Sequence, residues 1–179
     1  MQHFALTIIG RDRPGIVAQV TKILYEQGFN IADSSCSILG GQFSMILIIS
    51  NPQITAKEQF EQDFRQLEET NLSVFIRTMK PGGEIRPALK GEQCMISVYG
   101  ADKPGIVFQV AKVLGEQQIN ITDLNTKLIG TAEKPVYVMM LEAVLPENIE
   151  IDVVEQWMKE LQQQLQVDIS VRSLIAVEL

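Results

Sequence analysis

Asp12, Pro14 and Gly15 stand in the order Asp-x-Pro-Gly just before an apolar stripe at helical spacing. Asp102, Pro104 and Gly105 repeat the arrangement at a constant offset of 90. The residue types suit binding rather than bond-making. A helix begins with backbone N–H groups that lack partners and with a partial positive charge. Proline near the first turn pre-sets helical φ and has no N–H to lose. Glycine costs about 1 kcal/mol against alanine inside a helix, so its recurrence at one place suggests that a Cβ would be in the way. The N–H groups of Gly15, Ile16 and Val17, and of Gly105, Ile106 and Val107, are then open to a small anion such as a carboxylate. Two roles are open to Asp12 and Asp102: capping the helix by accepting from the glycine N–H, or accepting from a ligand's ammonium group. Asn30 and Asn120, where the chain leaves the helix for the next strand, either tolerate a turn conformation or offer a donor and an acceptor to a ligand.

These residues belong to a longer repeat. Positions 4–33 and 94–123 align without a gap, with fifteen of thirty residues identical. The offset of 90 exceeds the roughly 20–50-residue period of solenoid repeats, so the chain reads as a duplicated domain. The boundaries expected are 1–79 for the first copy, 80–91 for a turn-rich linker and 92–179 for the second. In the first copy Phe4, Leu6 and Ile8 alternate as on a strand, and Ile16, Val17, Val20, Ile23 and Leu24 form a helical stripe closed by Gly28. Strands follow over 30–39 and 42–49 around the Gly40-Gly41 turn. A Thr55-x-x-Glu58 capping box then predicts a helix to about Thr70, followed by a strand over 72–79.

The second copy repeats the plan. It has a strand over 95–99 and a helix bearing Ile106, Val107, Val110, Val113 and Leu114. A hairpin over 119–130 and 135–145 turns at Thr131–Lys134. A helix opens at an Asp152-x-x-Glu155 box, and the last strand covers 167–177. Two βαββαβ units make an α+β protein of two tandem ferredoxin-like sandwiches, each an antiparallel sheet with helices on one face. Met45–Ile49 and Val136–Leu141 are apolar on both parities, which predicts cover on the second sheet face, from the other domain or another subunit.

Composition limits the function. The net charge is −7, distributed as −2 over 1–79, +2 over 80–91 and −7 over 92–179. That balance argues against direct nucleic-acid binding, which needs a positive footprint. Cys36 and Cys94 lack CxxC spacing and read as free buried thiols in a reducing cytoplasm. No leader and no apolar run of membrane-spanning length is legible. Nothing has the form of a nucleophile motif, metal-ligand cluster, P-loop or GxGxxG, so neither enzyme activity nor a cofactor is expected.

Gly-x-Asp-x-Pro-Gly-Ile-Val, a helix, then Asn-Ile-x-Asp, twice over, resembles the ACT domain, a regulatory module that binds amino acids. The resemblance covers nearly the whole chain, which is similar to stand-alone tandem-ACT regulators. In amino-acid-binding members the effector lies between two ACT domains, held by the first strand–helix loop of one and the start of the second strand of the other. Carried over, this implicates Arg11, Asp12, Gly15, Ile16 and Asn30, and in the second copy Asp102, Gly105, Ile106 and Asn120. Arg11 is matched by Ala101 and Gly28 by Gln118, so the sites are not equivalent. The resemblance implies a small, glycine-like amino-acid effector, a DNA-binding transcription-factor protein as partner, no membrane and a homodimer. The alternative is a ligand-free module serving assembly alone.

Overall fold

The computed structural model describes residues 1–80, 91–131 and 133–174. The expected linker lies outside the described residues except for Lys80 and Gly91. Ala132 of the second hairpin turn and residues 175–177 of the expected last strand also lie outside them. The chain divides into two compact units, Met1–Pro87 and Ala88–Leu179.

The first unit runs β1 (His3–Arg11), α1 (Ile16–Glu26), β2 (Asn30–Leu39), β3 (Gln42–Ser50), two 3₁₀ turns (Lys57–Gln59, Glu61–Phe64), a one-turn α2 (Arg65–Glu68) and β4 (Leu72–Thr78). The second runs β5 (Glu92–Gly100), α3 (Ile106–Glu116), β6 (Asn120–Thr131), β7 (Lys134–Leu145), α4 (Ile151–Leu165) and β8 (Asp168–Ser173). Both sheets are four-stranded and antiparallel, ordered β2-β3-β1-β4 and β6-β7-β5-β8. This is the expected pair of ferredoxin-like α+β sandwiches.

Strand alternation fixes which side is core. Phe4, Leu6 and Ile8 are wholly buried, as are Leu47 and Ile49, and they meet Ile16, Val20, Ile23 and Leu24 of α1. Val17, expected in that stripe, is instead 44% exposed; it shares the face of Val20 and Leu24 but stands in the first turn, at the open end of the helix. The second core repeats the pattern with Ile96, Val98, Ile106, Val110 and Leu114. Gly40 and Gly41 both have positive φ, 57° and 75°, the two-residue primed turn whose twist suits a hairpin.

The helix expected over 55–70 is broken. Phe60, Phe64 and Leu67 occupy the same spacing as Val154, Met158 and Leu161 of the regular α4, and all six are buried. The first unit puts phenylalanines where the second has valine and methionine. Phe60 meets Phe4 edge-on at 5.0 Å and Phe29 at a tilt at 4.7 Å between ring centroids. Its backbone leaves the helical region at φ −138°, so seating the ring there accompanies the loss of helical continuity. The Thr55–Glu58 box does not form: Gln59 Oε1 accepts from the Thr55 and Ala56 N–H groups, both at 2.9 Å. Nor does Asp152 cap α4, whose N-cap is Glu150; Asp152 is the second helical residue, in the first turn, where its charge favours the helix dipole.

Cys36 corrects another expectation. It is exposed, because β2 is an edge strand; Cys94 is buried. Burial, with the charge of Glu92 beside it, pushes the Cys94 thiol up to about 11. The apolar outer parities of β3 and β7 are open: Ile46 is 50% and Met140 44% exposed.

Candidate functional site

Gly15 and Gly105 are the N-cap residues of α1 and α3, with φ of 90° and 95°. A Cβ built on either meets nothing within 4 Å. The glycines are therefore required by left-handed backbone, not by a neighbour. The residues where a Cβ would collide are Gly10 and Gly100. At Gly10 it would come 2.5 Å from the Asn71 carbonyl oxygen, and at Gly100 2.7 Å from Val167 Cγ1. These two glycines let β1 and β5 end close against the entry to the last strand of each unit.

Neither α1 nor α3 has a side-chain cap. Asp12 and Asp102 thus do not perform the capping role, and among the described residues no side chain accepts from the first-turn N–H groups of either helix. Pro14 and Pro104 precede the N-caps and stiffen the approach rather than occupying the first helical position. The Asp12 N–H donates to the Gly41 carbonyl at 2.9 Å, tying the turn to the hairpin tip. The neighbouring bases are deployed differently. Arg13 Nη2 donates to Gln19 Oε1 at 2.7 Å along α1. Lys103 Nζ donates to the Leu165 carbonyl at 3.0 Å and to Gln166 Oε1 at 3.2 Å, placing a cation at the C-terminus of α4.

A depression of about 490 Å³ lies beside the second turn, lined by Asp102, Lys103, Gly105, Ile106, Val107, Phe108 and Tyr137. Burial raises the Tyr137 hydroxyl's pKa, the Asp102 carboxylate raises it further, and a hydrogen bond with Thr126 opposes them. Sequence reasoning missed Tyr137, Phe108 and Lys103. Tyr137 pairs with Gly100 across the sheet, as Phe43 pairs with Gly10, so the signal was available in the strand register. Phe108, 63% exposed, replaces Ala18 of the first copy.

Register separates the remaining candidates. Asn30 pairs with Ser50, which pairs with His3, whereas the turn follows Arg11 at the other end of β1. Eight residues at about 3.4 Å each put some 27 Å between those ends. Asn120 is likewise remote from Gly105, since it pairs with Val144, the partner of Gln93. Within one unit the asparagine and the glycine turn cannot hold one small ligand. Arg11 shares the outer parity of β1 with Ile9 and Thr7 and is exposed at the rim. The structure thus brings together Asp12, Gly15 and Ile16, and separately Asp102, Gly105 and Ile106.

Among the described residues no cluster of three or more His, Cys, Asp or Glu is placed to hold a metal. No described helix is long and apolar enough to cross a membrane.

A duplicated βαββαβ sandwich with glycine-started, uncapped helices defines the class of fold. The ACT domain model matches residues 2–76 and 92–172, and the chain belongs to the ACT domain family. It is similar to the glycine cleavage system transcriptional repressor of Escherichia coli, with 29% identity over 69% of this chain and 64% of that protein. A UPF0237 protein of Methanococcus maripaludis is 38% identical over 31% of this chain and 62% of its own length. The chain therefore spans a little under two thirds of these relatives. Among solved structures, an unknown protein from Galdieria sulphuraria superposes with a TM-score of 0.81, at 23% identity and 97% and 99% coverage. A candidate glycine cleavage system transcriptional repressor superposes at 0.70, with 21% identity and 97% coverage of both chains. These two likenesses concern the fold.

Proposed function

We propose that the chain senses a small amino acid and regulates, without catalysing, through a protein partner. The observation that carries this reading is the second turn: a cavity holding the start of an uncapped eleven-residue helix, with the Asp102 carboxylate on the same rim. Helix N–H groups match a ligand's carboxylate and Asp102 matches its ammonium, the two ends of a free amino acid. Asp12, Gly15 and Ile16, with Arg11 at the rim, form the corresponding first site; Asp102, Gly105 and Ile106 form the second. Asn30 and Asn120, too far from the turns of their own units, act on a ligand held by another ACT unit. The working boundaries are 1–79, 80–91 and 92–179.

Similarity to the glycine cleavage system transcriptional repressor supports glycine as effector, and a cytoplasmic role in transcription. With a net charge of −7, the chain acts through a DNA-binding protein rather than on DNA itself. Ligand shifts the population of partner-binding states by its differential affinity for them. A homodimer is the working unit.

Calorimetric titration of the full chain with glycine and a panel of other amino acids tests the sensor. Millimolar-or-tighter binding is expected, weakened by Asp102→Ala at one site and Asp12→Ala at the other. No heat with any amino acid sinks the sensor. The second reading, a ligand-free assembly module, is favoured by the open apolar sheet faces, on which Ile46, Phe75 and Met140 are half or more than two fifths exposed.

A further inference from the structure

The open face of the second sheet carries its charges in a pattern that matches itself. Both β2 and β6 bear a bulge, in β6 between Ile121 and Asp123. Beyond it Asp123, Asn125 and Lys127 stand on the outer side, level with Glu142, Met140 and Val138 of β7. Across β5 and β8 the same three rows continue as Met95 and Arg172, Ser97 and Ser170, Tyr99 and Asp168. The corners of this face are thus Asp123 and Arg172 on one row, Lys127 and Asp168 on the other.

Three strand spacings of about 4.8 Å and four residues of about 3.4 Å make it a near-square, some 14 Å on a side. Like charges sit on the diagonals and opposite charges on the edges. All four side chains are exposed, and among the described residues none of them joins an ion pair. Between the corners Glu142 stands beside Asp123 and Ser97 lies near the centre, and the other inner positions are apolar. Met140 and Tyr99 are 44% and 42% exposed, Met95 and Val138 half-buried, over a depression of about 540 Å³.

We infer that this face of the second unit is where two copies of the chain pair, sheet against sheet, about a two-fold axis lying between them. An axis parallel to the strands sets Asp123 against the partner copy's arginine corner and Lys127 against its Asp168 corner. An axis perpendicular to the strands sets Asp123 against the lysine corner and Arg172 against the Asp168 corner. Either operation brings four opposite-charge corner pairs around a shared, mainly apolar centre and sets Glu142 one strand away from a partner cation, and stacked sheets pack near alignment. A rotation of one sheet by a quarter turn would set like charges together, so the pattern also fixes orientation. The first unit has only one such row, Asp33, Ile48, Ala5 and Arg77; its other edge carries Ser37 and Ser73. The face measures about 19 by 31 Å, near 600 Å², so the dimer is modest in size and salt-sensitive.

This rests on the dimeric reading above and adds the surface and its orientation. Sedimentation velocity of the full chain at micromolar concentration tests it. The wild type is expected to be dimeric at about 0.05 M salt and to loosen by about 0.5 M. Lys127→Glu with Arg172→Glu makes all four corners negative and should weaken the dimer at least about tenfold. Adding Asp123→Lys, Glu142→Lys and Asp168→Lys inverts every charge on the face, which matches itself again, and should restore it. A strictly monomeric wild type, as when the chain's own first unit covers the face, overturns both the dimer and this surface. A double variant that sediments like the wild-type dimer overturns the surface and leaves the dimer standing. Failure of the inverted variant to recover, with circular dichroism unchanged, overturns the charge match.

Discussion

Gly100 and Gly105 lie five residues apart and are both glycine, yet the structure gives different reasons for each. At Gly100 a Cβ would stand 2.7 Å from Val167 Cγ1 and 3.2 Å from Val167 Cα. Overpacking of this kind costs about 1–3 kcal/mol. At Gly105 a Cβ meets nothing within 4 Å, and the whole cost is the φ of 95°. Left-handed backbone costs an alanine about 1–2 kcal/mol, offset by about 0.5 kcal/mol from the smaller entropy of its unfolded chain. Gly100→Ala should therefore destabilise the second unit by about 1–3 kcal/mol and Gly105→Ala by about 0.5–1.5 kcal/mol, ranges that overlap, so the single variants will not tell the causes apart. A double-mutant cycle with Val167→Ala does. Removing the valine methyls takes away the 2.7 Å clash and leaves Cβ at 3.0 Å and Cα at 3.2 Å, so the strain is relieved in part and those two substitutions should couple by about 1 kcal/mol. Gly105→Ala shares no contact with Val167, and its cycle should close within about 0.5 kcal/mol. Urea unfolding followed by Trp157 fluorescence reads the second unit alone, since the chain has one tryptophan and it packs against that core. Equal coupling in the two cycles would refute the distinction between a blocked Cβ and a left-handed backbone.

Asn51 is buried, donates to the Gln27 and Gly28 carbonyls at 2.9 and 3.1 Å, and accepts from the Gln53 N–H at 2.7 Å. Asn51→Ala strands those groups and should cost the first unit about 2–3 kcal/mol in a denaturant midpoint shift. Thiol titration of the native chain should give one fast equivalent from exposed Cys36, with Cys94 reacting only on unfolding; two fast equivalents would contradict the burial of Cys94. The native Cys94 keeps its proton up to about 11 against an ordinary 9.0. The folded state thus binds more protons between those values, and stability falls as pH rises through that window. A Cys94→Ala variant should show a flatter alkaline limb.

Local patterning in the sequence carries much of this fold. Alternation of Phe4, Leu6 and Ile8, the Gly40-Gly41 pair and the gapless offset of 90 each depend on neighbours a few positions away, and each has its expected place in the structure. The residues of the two turns were legible for the same reason, since Asp-x-Pro-Gly states a helix start in four letters. Long-range packing decided the rest. The break at Phe60 follows from rings contributed by Phe4 and Phe29, far away in the chain. Tyr137 joins the Asp102 turn only because β7 pairs with β5 in one register. The same registers carry Asn30 and Asn120 away from the turns they accompany in sequence, because strands convert a count of residues into tens of ångströms. The alternating corners of the second sheet arise from four separate strands, and no stretch of sequence contains them.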